Sequence, residues 1–577
     1  MAGVLLSSLI WIVYAVVIAI LLGVASIFIY IYKSPRESSR FVVFVCIITI
    51  TSLLATVLLQ PVDVALVSST NSSKLGQRKS WASQEAVDNI LTSLKAVYYL
   101  LYGLDTVLCL LVIPFAYFWY EEYDEVATQE GEQTPGKRIW AAFKYTIGFL
   151  VFAILLFLIG LFVPTSSGSE RDLEYFRRLL MENHGERTLA FALGFLITIG
   201  TFLYVIYTST GMALFHVSLI KTAPSILSPG MGSSASSRLE ANRERQRQLD
   251  ARCGGDPDQL SSKDRRELDV LVREERTLIR RQRLIEETED ARQTWFVRAW
   301  HKAGAALRPF KRISGVLLLL TTLVVWVSML LTAIDKASNS VCKRSCGYIL
   351  GHINLFNPAN WAFVRAAKVF PVDYALFTFL VLLFFTGSVV GIAAVGIRVF
   401  WIKIFQIRKA HTSPQALLLA TAMLTMITLA LNYSIAMIVA PQYATFGPQT
   451  FCDKQPATSY LTAQPDCSHD KDLIKACSEI ADNPAAKAIC TPSVVSTFLN
   501  RVTLNFPFFG VVFFWAQFVF LGLYLVVAVI ALVRTPKLNE RQLDEDAEEA
   551  EEESLLATSA RQVNRDWQAA GDESSGA

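Results

Sequence analysis

Three aspartates are the residues of this chain whose type and position most suggest chemistry, because each lies within or beside a long apolar stretch: Asp63, Asp105 and Asp373. A carboxylate at membrane depth is costly, so it usually faces a cavity, a partner or an ion pathway. Asp105 follows Gly103-Leu104 in the middle of such a stretch. A role in a cavity and a hydrogen-bonded structural position are both open for it.

Asp63 and Asp373 stand in two similar segments, PVDVAL at 61–66 and PVDYAL at 371–376. A proline removes a backbone donor, and an adjacent aspartate can cap the amides that begin a new helical turn. We interpret the two segments as helix boundaries. The alternative is a pair of broken helices flanking a lumenal opening, as in transporters built from repeats.

Six of the nine cysteines lie in two loops: Cys342, Cys346, Cys452, Cys467, Cys477 and Cys490. Clustered cysteines in exposed loops predict disulfides in an oxidising compartment. The alternative is a zinc site, but no histidine stands at ligand spacing and His469 is alone, so we expect no metal. The three pairings of the last four cysteines remain open.

Catalytic motifs are missing from the sequence. It contains no His-Glu-x-x-His, no Gly-x-Ser-x-Gly and no phosphate-binding Walker loop. We therefore predict that the protein is not an enzyme, and an ATP-driven pump is excluded for this chain alone. Any transport would be passive, coupled to an ion or energised by a partner.

Long apolar stretches must position these residues. They lie near 4–31, 41–59, 96–120, 145–163, 188–220, 313–334, 374–400, 416–440 and 508–533. About 20 apolar residues cross a bilayer as a helix, which satisfies its own backbone hydrogen bonds. Hydrophobic residues make up 53% of the chain and charged ones 18%. The sequence predicts an all-α polytopic membrane protein of nine helices embedded in lipid, without a basic domain for nucleic acid.

The loops indicate an orientation. Basic residues concentrate after the first, third, fifth and seventh spans, and the positive-inside rule places such loops in the cytosol. The cysteine loops and the glycosylation sequon at Asn71 (NSS, 71–73) then fall on the opposite side. We expect a lumenal N-terminus, a cytosolic C-terminus and a glycan on Asn71.

Four regions follow from this pattern. Residues 1–220 hold five helices, 221–312 form a charged cytosolic insert of two helices, 313–533 hold four helices with the cysteine loops, and 534–577 form a disordered acidic tail. Alternating charges with leucines at helical spacing predict the insert. In the tail, Glu551, Leu555 and Leu556 fit the acidic-dileucine signal that clathrin adaptors bind.

Several segments resemble the limb-region-1-like membrane proteins, in particular the lysosomal cobalamin transport branch and its fungal members. They are LQPVD at 59–63, PFAYFWYEE at 114–122, KYTIGF at 144–149, FPVDY at 370–374, RKAHTSPQALL at 408–418 and APQY at 440–443. Matching stretches recur in the same order from the second to the eighth span, so the resemblance covers most of the chain.

The resemblance implies a nine-span protein of the lysosomal or vacuolar membrane that takes part in exporting cobalamin (vitamin B12) to the cytosol. It implies cobalamin as a transported ligand and not a prosthetic group, and cooperation with an ABC-type transporter, as conduit or as escort. Relatives described as endocytic receptors for lipocalins supply the alternative, a receptor or trafficking adaptor. A conduit needs a polar cavity across the bilayer, whereas a receptor does not.

Overall fold

A computed structural model describes residues 2–34, 39–123, 134–162, 184–221, 231–252, 262–290, 308–350, 353–399, 402–409, 412–454, 467, 469–479 and 484–534. The chain divides into two compact units. The larger unit comprises Met1–Val217 and Leu317–Leu532, and the smaller comprises Ser218–Val316 and Val533–Ala577.

Long helices dominate the chain before the charged insert. In order, the described elements are α1 Ala2–Tyr32, α2 Arg40–Ser69, β1 Asn71–Ser72, β2 Gln77–Arg78, α3 Gln84–Val107, α4 Ile113–Glu121, α5 Pro135–Phe162, α6 His184–Leu203 and α7 Ser209–Ile220. Single π-helical turns at Leu108–Val112 and Tyr204–Thr208 join α3 to α4 and α6 to α7 into continuous rods.

The insert contains two helices, α8 Met231–Arg252 and α9 Ser262–Asp290. They pack antiparallel and are joined by two ion pairs. Arg243 Nε lies 2.8 Å from Glu275 Oε1, and Arg245 Nη2 lies 3.0 Å from Glu267 Oε1. Hydrogen bonds from Arg243 and Gln246 hold the pKa of Glu275 below its usual value. The predicted break at 253–255 lies outside the described residues.

Helices and three small antiparallel sheets complete the chain. The elements are α10 Arg308–Asn339, α11 Pro358–Ala366, α12 Val372–Val395, β3 Ile397–Val399, β4 Ile402–Phe405, α13 Pro414–Ser434 with its π-helical extension Ile435–Val439, α14 Pro441–Phe446, β5 Thr450–Cys452, β6 Ile474–Ala476, α15 Pro484–Ile489, α16 Val494–Asn505 and α17 Pro507–Val533. The sheets pair β1 with β2, β3 with β4 and β5 with β6.

The all-α polytopic class is confirmed. Within the described ranges, eight helical segments are long and apolar enough to cross a membrane, judged by length and composition. The predicted span at 145–163 lies on α5 up to Phe162. Some α5 side chains fall outside the description, so the ninth span and the orientation stay predictions.

Two predicted helix ends are wrong. The span at 374–400 ends earlier, because α12 stops at Val395 and Gly396, with φ of +75°, turns the chain into the β3–β4 hairpin. The proline at 61 does not end α2, which continues to Ser69. A neighbouring helix supplies polar contact there, since the Tyr374 hydroxyl donates to the Leu58 carbonyl at 3.2 Å.

Glycines let α7 and α12 approach closely in the interior of the larger unit. A Cβ on Gly211 would collide with the Gly387 carbonyl and the Gly391 backbone, and a Cβ on Gly391 would collide with the Tyr207 carbonyl. Small residues at crossings allow membrane helices to pack backbone on backbone. This crossing leaves no space for a ligand between the two helices.

Candidate functional site

A cleft of about 610 Å³ opens between α3, α14, α15 and α16 of the larger unit. Its lining follows α3 from Gln84 to Tyr102, which is roughly 27 Å at 1.5 Å per residue. The opposite wall is formed by α16 from Val494 to Arg501. Both the volume and the length suit a bound small molecule rather than a single ion.

Helical spacing places the α3 side chains on one wall of the cleft. Leu91, Lys95, Tyr98 and Tyr102 follow one another at intervals of four, three and four residues and all line the cleft. Ser83 fixes the start of this helix, because its hydroxyl accepts from the Ala86 amide at 3.2 Å.

Aromatic rings form the inner part of this wall. Tyr98 and Tyr102 stack with their centroids 5.9 Å apart, and Tyr102 lies 5.9 Å from the Phe498 ring on α16. The Asn432 side-chain amide on α13 donates to the Tyr102 hydroxyl at 3.2 Å. Tyr98 is 3% exposed whereas Tyr102 is half-buried, so it is Tyr102 that presents ring surface and a fixed hydroxyl to the cleft.

Positive charge predominates along the lining. Its described residues include four cations, Arg78, Lys95, Lys487 and Arg501, and one carboxylate, Asp88. At the rim, Arg78 donates to Gln84 at 2.6 Å, and Gln84 donates to Asp88 at 3.1 Å. Burial lowers the pKa of Arg78, and Asp88 opposes this shift.

Disulfides hold the loop that roofs the cleft. The structure joins Cys477 to Cys490, which both line the cleft, and joins Cys452 to Cys467 in the same loop. The Gln449 side chain makes two hydrogen bonds to the Thr491 backbone. Its nitrogen donates to the Thr491 carbonyl at 2.8 Å, and its oxygen accepts from the Thr491 amide at 3.0 Å. The roof is thus fixed by covalent and polar links.

The third disulfide joins Cys342 to Cys346, ahead of the loop that contributes Ile349 and Leu350 to the cleft. Gly347, with φ of +72°, follows it and contacts the backbone of Gly510 on α17. In the described part of the chain, no group of three or more His, Cys, Asp or Glu side chains could hold a metal ion.

Asn71, the predicted glycosylation site, is 3% exposed. Its amide nitrogen donates to the Thr450 carbonyl at 2.9 Å, and its oxygen accepts from the Thr450 amide at 3.4 Å. A glycan needs this nitrogen to face solvent, whereas here it joins two loops. The fold therefore opposes a glycan on Asn71 and removes the sequon from the arguments for orientation.

Asp63 lies directly behind the cleft and is 0% exposed. It accepts from the Val495 amide at 3.0 Å, and the Tyr98 hydroxyl lies against its carboxyl group. Val495 and Tyr98 both line the cleft. Asp63 thus positions α16, as a carboxylate does at a helix N-terminus, and is one layer removed from any ligand.

Asp373 is also buried, at the start of α12. Its carboxylate accepts from the Tyr443 hydroxyl at 3.0 Å, and Tyr443 belongs to α14, whose Pro441 and Gln442 line the cleft. Pro371 precedes α12, so the boundary interpretation fits this PVD segment and not the one at 61–66.

Asp105 faces α2 rather than the cleft. Its two carboxylate oxygens accept from the Ser52 and Thr56 hydroxyls, each at 2.6 Å. It is absent from the cleft lining, which ends on α3 at Tyr102. These contacts favour the structural alternative for Asp105.

The remaining predicted site residues, Glu551, Leu555 and Leu556, lie outside the described residues. Conversely, the sequence analysis missed Lys95, Tyr98, Tyr102 and Arg501. A signal was present in α3, where a lysine precedes the apolar stretch at 96–120 and three tyrosines lie in its first turns. Arg501 gave none, because its segment follows the cysteine loop and is too short for a span.

Comparisons with known proteins give a consistent result. The family model for LMBR1-like membrane proteins matches residues 10–253. A protein of Aspergillus terreus is 66% identical over 97% of this chain and 97% of its own length. A protein of Aspergillus oryzae is 64% identical over 97% of this chain and 96% of its own length. A protein of Sclerotinia sclerotiorum is 58% identical over 97% of this chain and 94% of its own length. All three are named "Probable lysosomal cobalamin transporter". No solved structure matches this chain.

Proposed function

Because the chain belongs to the family of LMBR1-like membrane proteins, as its sequence segments predicted, we propose that it exports cobalamin from the lysosomal or vacuolar lumen to the cytosol. The observation that carries the proposal is the identity of 58–66% over nearly the whole chain to proteins named for this transport. The proposed role is transport rather than catalysis, in a multi-pass protein of that membrane.

The chemistry of the cleft supports a corrinoid ligand. Cobalamin combines a planar macrocycle, many side-chain amides and a nucleotide joined through a phosphodiester. The cleft offers ring surface at Tyr102, amide groups at Gln442 and Asn500, and an excess of cations. Mostly apolar walls with a few polar anchors are typical of small-molecule sites.

We place the cleft on the lumenal side. Disulfides persist in oxidising compartments, and all three described disulfides belong to loops at or near the cleft. This orientation puts the N-terminus in the lumen and the C-terminus in the cytosol. The tail motif at Glu551, Leu555 and Leu556 would then be accessible to clathrin adaptors.

The described lining of the cleft ends on α3 at Tyr102. Beyond Tyr102, the same helical rod continues through α3 and α4 to Glu121, which is roughly another 28 Å. Ser52 and Thr56 on α2 close against Asp105 along this stretch. We propose that the protein takes cobalamin from the lumen and delivers it in cooperation with an ABC-type transporter.

Because this lining stops at Tyr102, the cleft also supports the second candidate function, a receptor that holds a lumenal ligand and carries it by trafficking. A receptor needs a binding surface and a cytosolic sorting signal but no path through the bilayer. The two functions differ in whether cobalamin leaves a sealed vesicle.

The test is efflux of labelled cobalamin from proteoliposomes, first with this protein alone and then with the candidate ABC-type partner and ATP. Delivery to a partner predicts binding by the lone protein and efflux only with the partner. Efflux by the lone protein would establish a conduit. Binding without efflux in both preparations would favour a receptor, and the absence of binding would contradict cobalamin export.

A further inference from the structure

The β3–β4 hairpin carries exposed cations and exposed isoleucines at the end of two long apolar helices. We propose that it binds the headgroup of an anionic phospholipid between Arg398 and Lys403, while Ile402 and Ile404 contact the surrounding lipid. The inference goes beyond the proposed function, because it concerns the membrane that holds the protein and not the ligand that the protein moves.

Two candidate membrane spans fix the position of the hairpin. α12 ends at Val395 and α13 begins at Pro414, and both are long and apolar enough to cross a membrane. The chain between them therefore leaves and re-enters the bilayer on one side. β3 begins at Ile397, two residues after the end of α12, so the hairpin lies at the membrane surface.

The hairpin is anchored in the core at its base and exposed beyond it. Ile397 is buried, and its partner Phe405 packs against the same buried cluster. Ile402 is 72% exposed and Ile404 is 46% exposed. Neighbouring residues of a strand point to opposite faces, so Ile402 and Lys403 lie on different faces. At a membrane surface, an apolar face of this kind is covered by lipid.

Two cations stand directly opposite each other on the hairpin. Arg398 pairs with Lys403 in the register of the strands, and both are exposed. Arg398 Nε donates to the Val395 carbonyl at 3.0 Å, and Lys403 Nζ donates to Gln406 Oε1 at 2.7 Å. Both acceptors are neutral, and neither cation pairs with a carboxylate among the described residues. Like charges in this arrangement repel, so an anion between them would be stabilising.

The contacts of the two cations leave donors for a phosphate. The bond from Nε holds the Arg398 guanidinium at the end of α12 and leaves its two Nη groups. The Lys403 stem passes Gly396, where an added Cβ would lie 2.9 Å from Lys403 Cε. A guanidinium donates two parallel hydrogen bonds to a phosphate, and an ammonium adds a point charge. The pair therefore suits one phosphate placed between the two side chains.

The charge of the whole segment favours an anionic membrane. Residues 396–413 contain four Lys or Arg, at 398, 403, 408 and 409, and no Asp or Glu. Clusters of this size beside a membrane span attract anionic headgroups. α12 begins near the cleft, where Asp373 binds Tyr443, so its other end faces away from the cleft. With the cleft in the lumen, as proposed, the hairpin faces the cytosolic leaflet, whose surface is negative.

The test is native mass spectrometry of the purified full-length protein, released from neutral detergent micelles that contain equal amounts of phosphatidylserine and phosphatidylcholine. The wild type should retain phosphatidylserine about tenfold over phosphatidylcholine, since each cation near an anionic surface contributes about fivefold. Arg398→Gln combined with Lys403→Gln should remove most of this preference. Arg398→Lys combined with Lys403→Arg keeps both charges and should retain it.

A matched control removes two exposed cations from another surface. Lys454→Gln combined with Lys471→Gln changes the net charge equally in the disulfide loop, and neither residue lines the cleft. This variant should keep the wild-type preference. If the double glutamine variant of the hairpin does not fold, Lys403→Gln alone should lower the preference about fivefold.

Contact of the apolar face with lipid is measured in nanodiscs that contain both lipids. A nitroxide attached at Ile402→Cys should collide more often with oxygen than with a water-soluble nickel complex, and one at Lys403→Cys should show the reverse. Cys253 is first replaced by serine, and the protein without a new cysteine gives the background. Collisions mainly with the nickel complex at both positions would place the hairpin in water and overturn the inference.

Other outcomes would also overturn it. Equal retention of the two lipids by the wild type would remove the headgroup site, and a preference that survives in the double glutamine variant would place it elsewhere. An equal loss in the lysine control would show that net charge alone selects the lipid. Loss of the preference in inorganic phosphate, but not in chloride of the same ionic strength, would assign the pair to a free anion. None of these results affects cobalamin efflux, which tests the proposed function separately.

Discussion

The cleft and the packed interior of the larger unit are built in different ways. Around the cleft, short loops are joined by disulfides and by side-chain clasps such as Gln449 with Thr491. In the interior, helix backbones touch directly, as at Gly211 and Gly387. The first arrangement keeps a space open between rigid walls, and the second removes space. This difference is why we propose ligand recognition in the first region and not in the second.

The buried aspartates follow the same division. Asp63 supports the cleft wall through Val495, whereas Asp105 binds two hydroxyls of α2 in the closed region. Identical residue types thus serve different ends, because Asp63 of α2 contacts α16 at the cleft wall and Asp105 of α3 contacts α2.

The largest effect is expected in the closed region. Gly211→Leu places a side chain where the Gly387 carbonyl lies, so α7 and α12 must separate, at a cost of about 3 kcal/mol or more. Thermal unfolding in detergent measures this loss. The control is Gly103→Ala on α3, which has nothing within 4 Å of the added methyl and should be neutral or slightly stabilising. Equal behaviour of the two variants would contradict the close crossing.

The disulfides test the cleft roof. Replacing both Cys477 and Cys490 by serine removes a link across 13 residues, worth about 3 kcal/mol to the loop, and should weaken cobalamin binding. The matched control replaces Cys452 and Cys467, which link across 15 residues without lining the cleft. Limited proteolysis should detect both losses, whereas only the first should reduce affinity. A similar loss of affinity in both would show that the roof has no specific role.

Substitutions of Asp105 distinguish a structural role of this residue from a role in transport. Asp105→Leu removes the acceptor of the Ser52 hydroxyl, while the Thr56 hydroxyl keeps the Ser52 carbonyl at 3.0 Å, and the substitution should lower the free energy of unfolding by about 1–3 kcal/mol. Asp105→Asn retains one acceptor oxygen and can donate to the other hydroxyl, so it should stay near wild type in stability and in efflux. Loss of efflux in a stable Asp105→Asn protein would instead give the carboxylate a role in transport.

The smallest effect concerns the loop clasp at Asn71. Asn71→Asp sets an oxygen against the Thr450 carbonyl and should cost about 1–2 kcal/mol. Ser73→Ala destroys the sequon but leaves the clasp, and its band on a denaturing gel should migrate as the wild type does. Faster migration of Ser73→Ala would show that Asn71 carries a glycan and that the two loops separate there.

The contrast between the open cleft and the packed interior could be predicted from the sequence only in small part. Apolar length predicts spans because the bilayer imposes it on every residue of a helix, and the family segments supplied the ligand. The cleft arises from residues far apart in sequence, such as Tyr102 and Phe498, which no local pattern pairs. Pro61 was expected to end its helix, as a proline does in water. Instead α2 continues past it, and the Tyr374 hydroxyl of α12 donates to the nearby Leu58 carbonyl.

The most direct test of the central claim is whether cobalamin occupies the cleft. After the cysteine of the charged insert, Cys253, is replaced by serine, Lys95→Cys places a thiol in the cleft and Lys454→Cys places one on the disulfide loop outside it. The rate of maleimide labelling is measured with and without saturating cyanocobalamin. The cleft site predicts slower labelling at residue 95 and an unchanged rate at 454. Unchanged rates at both positions would contradict it.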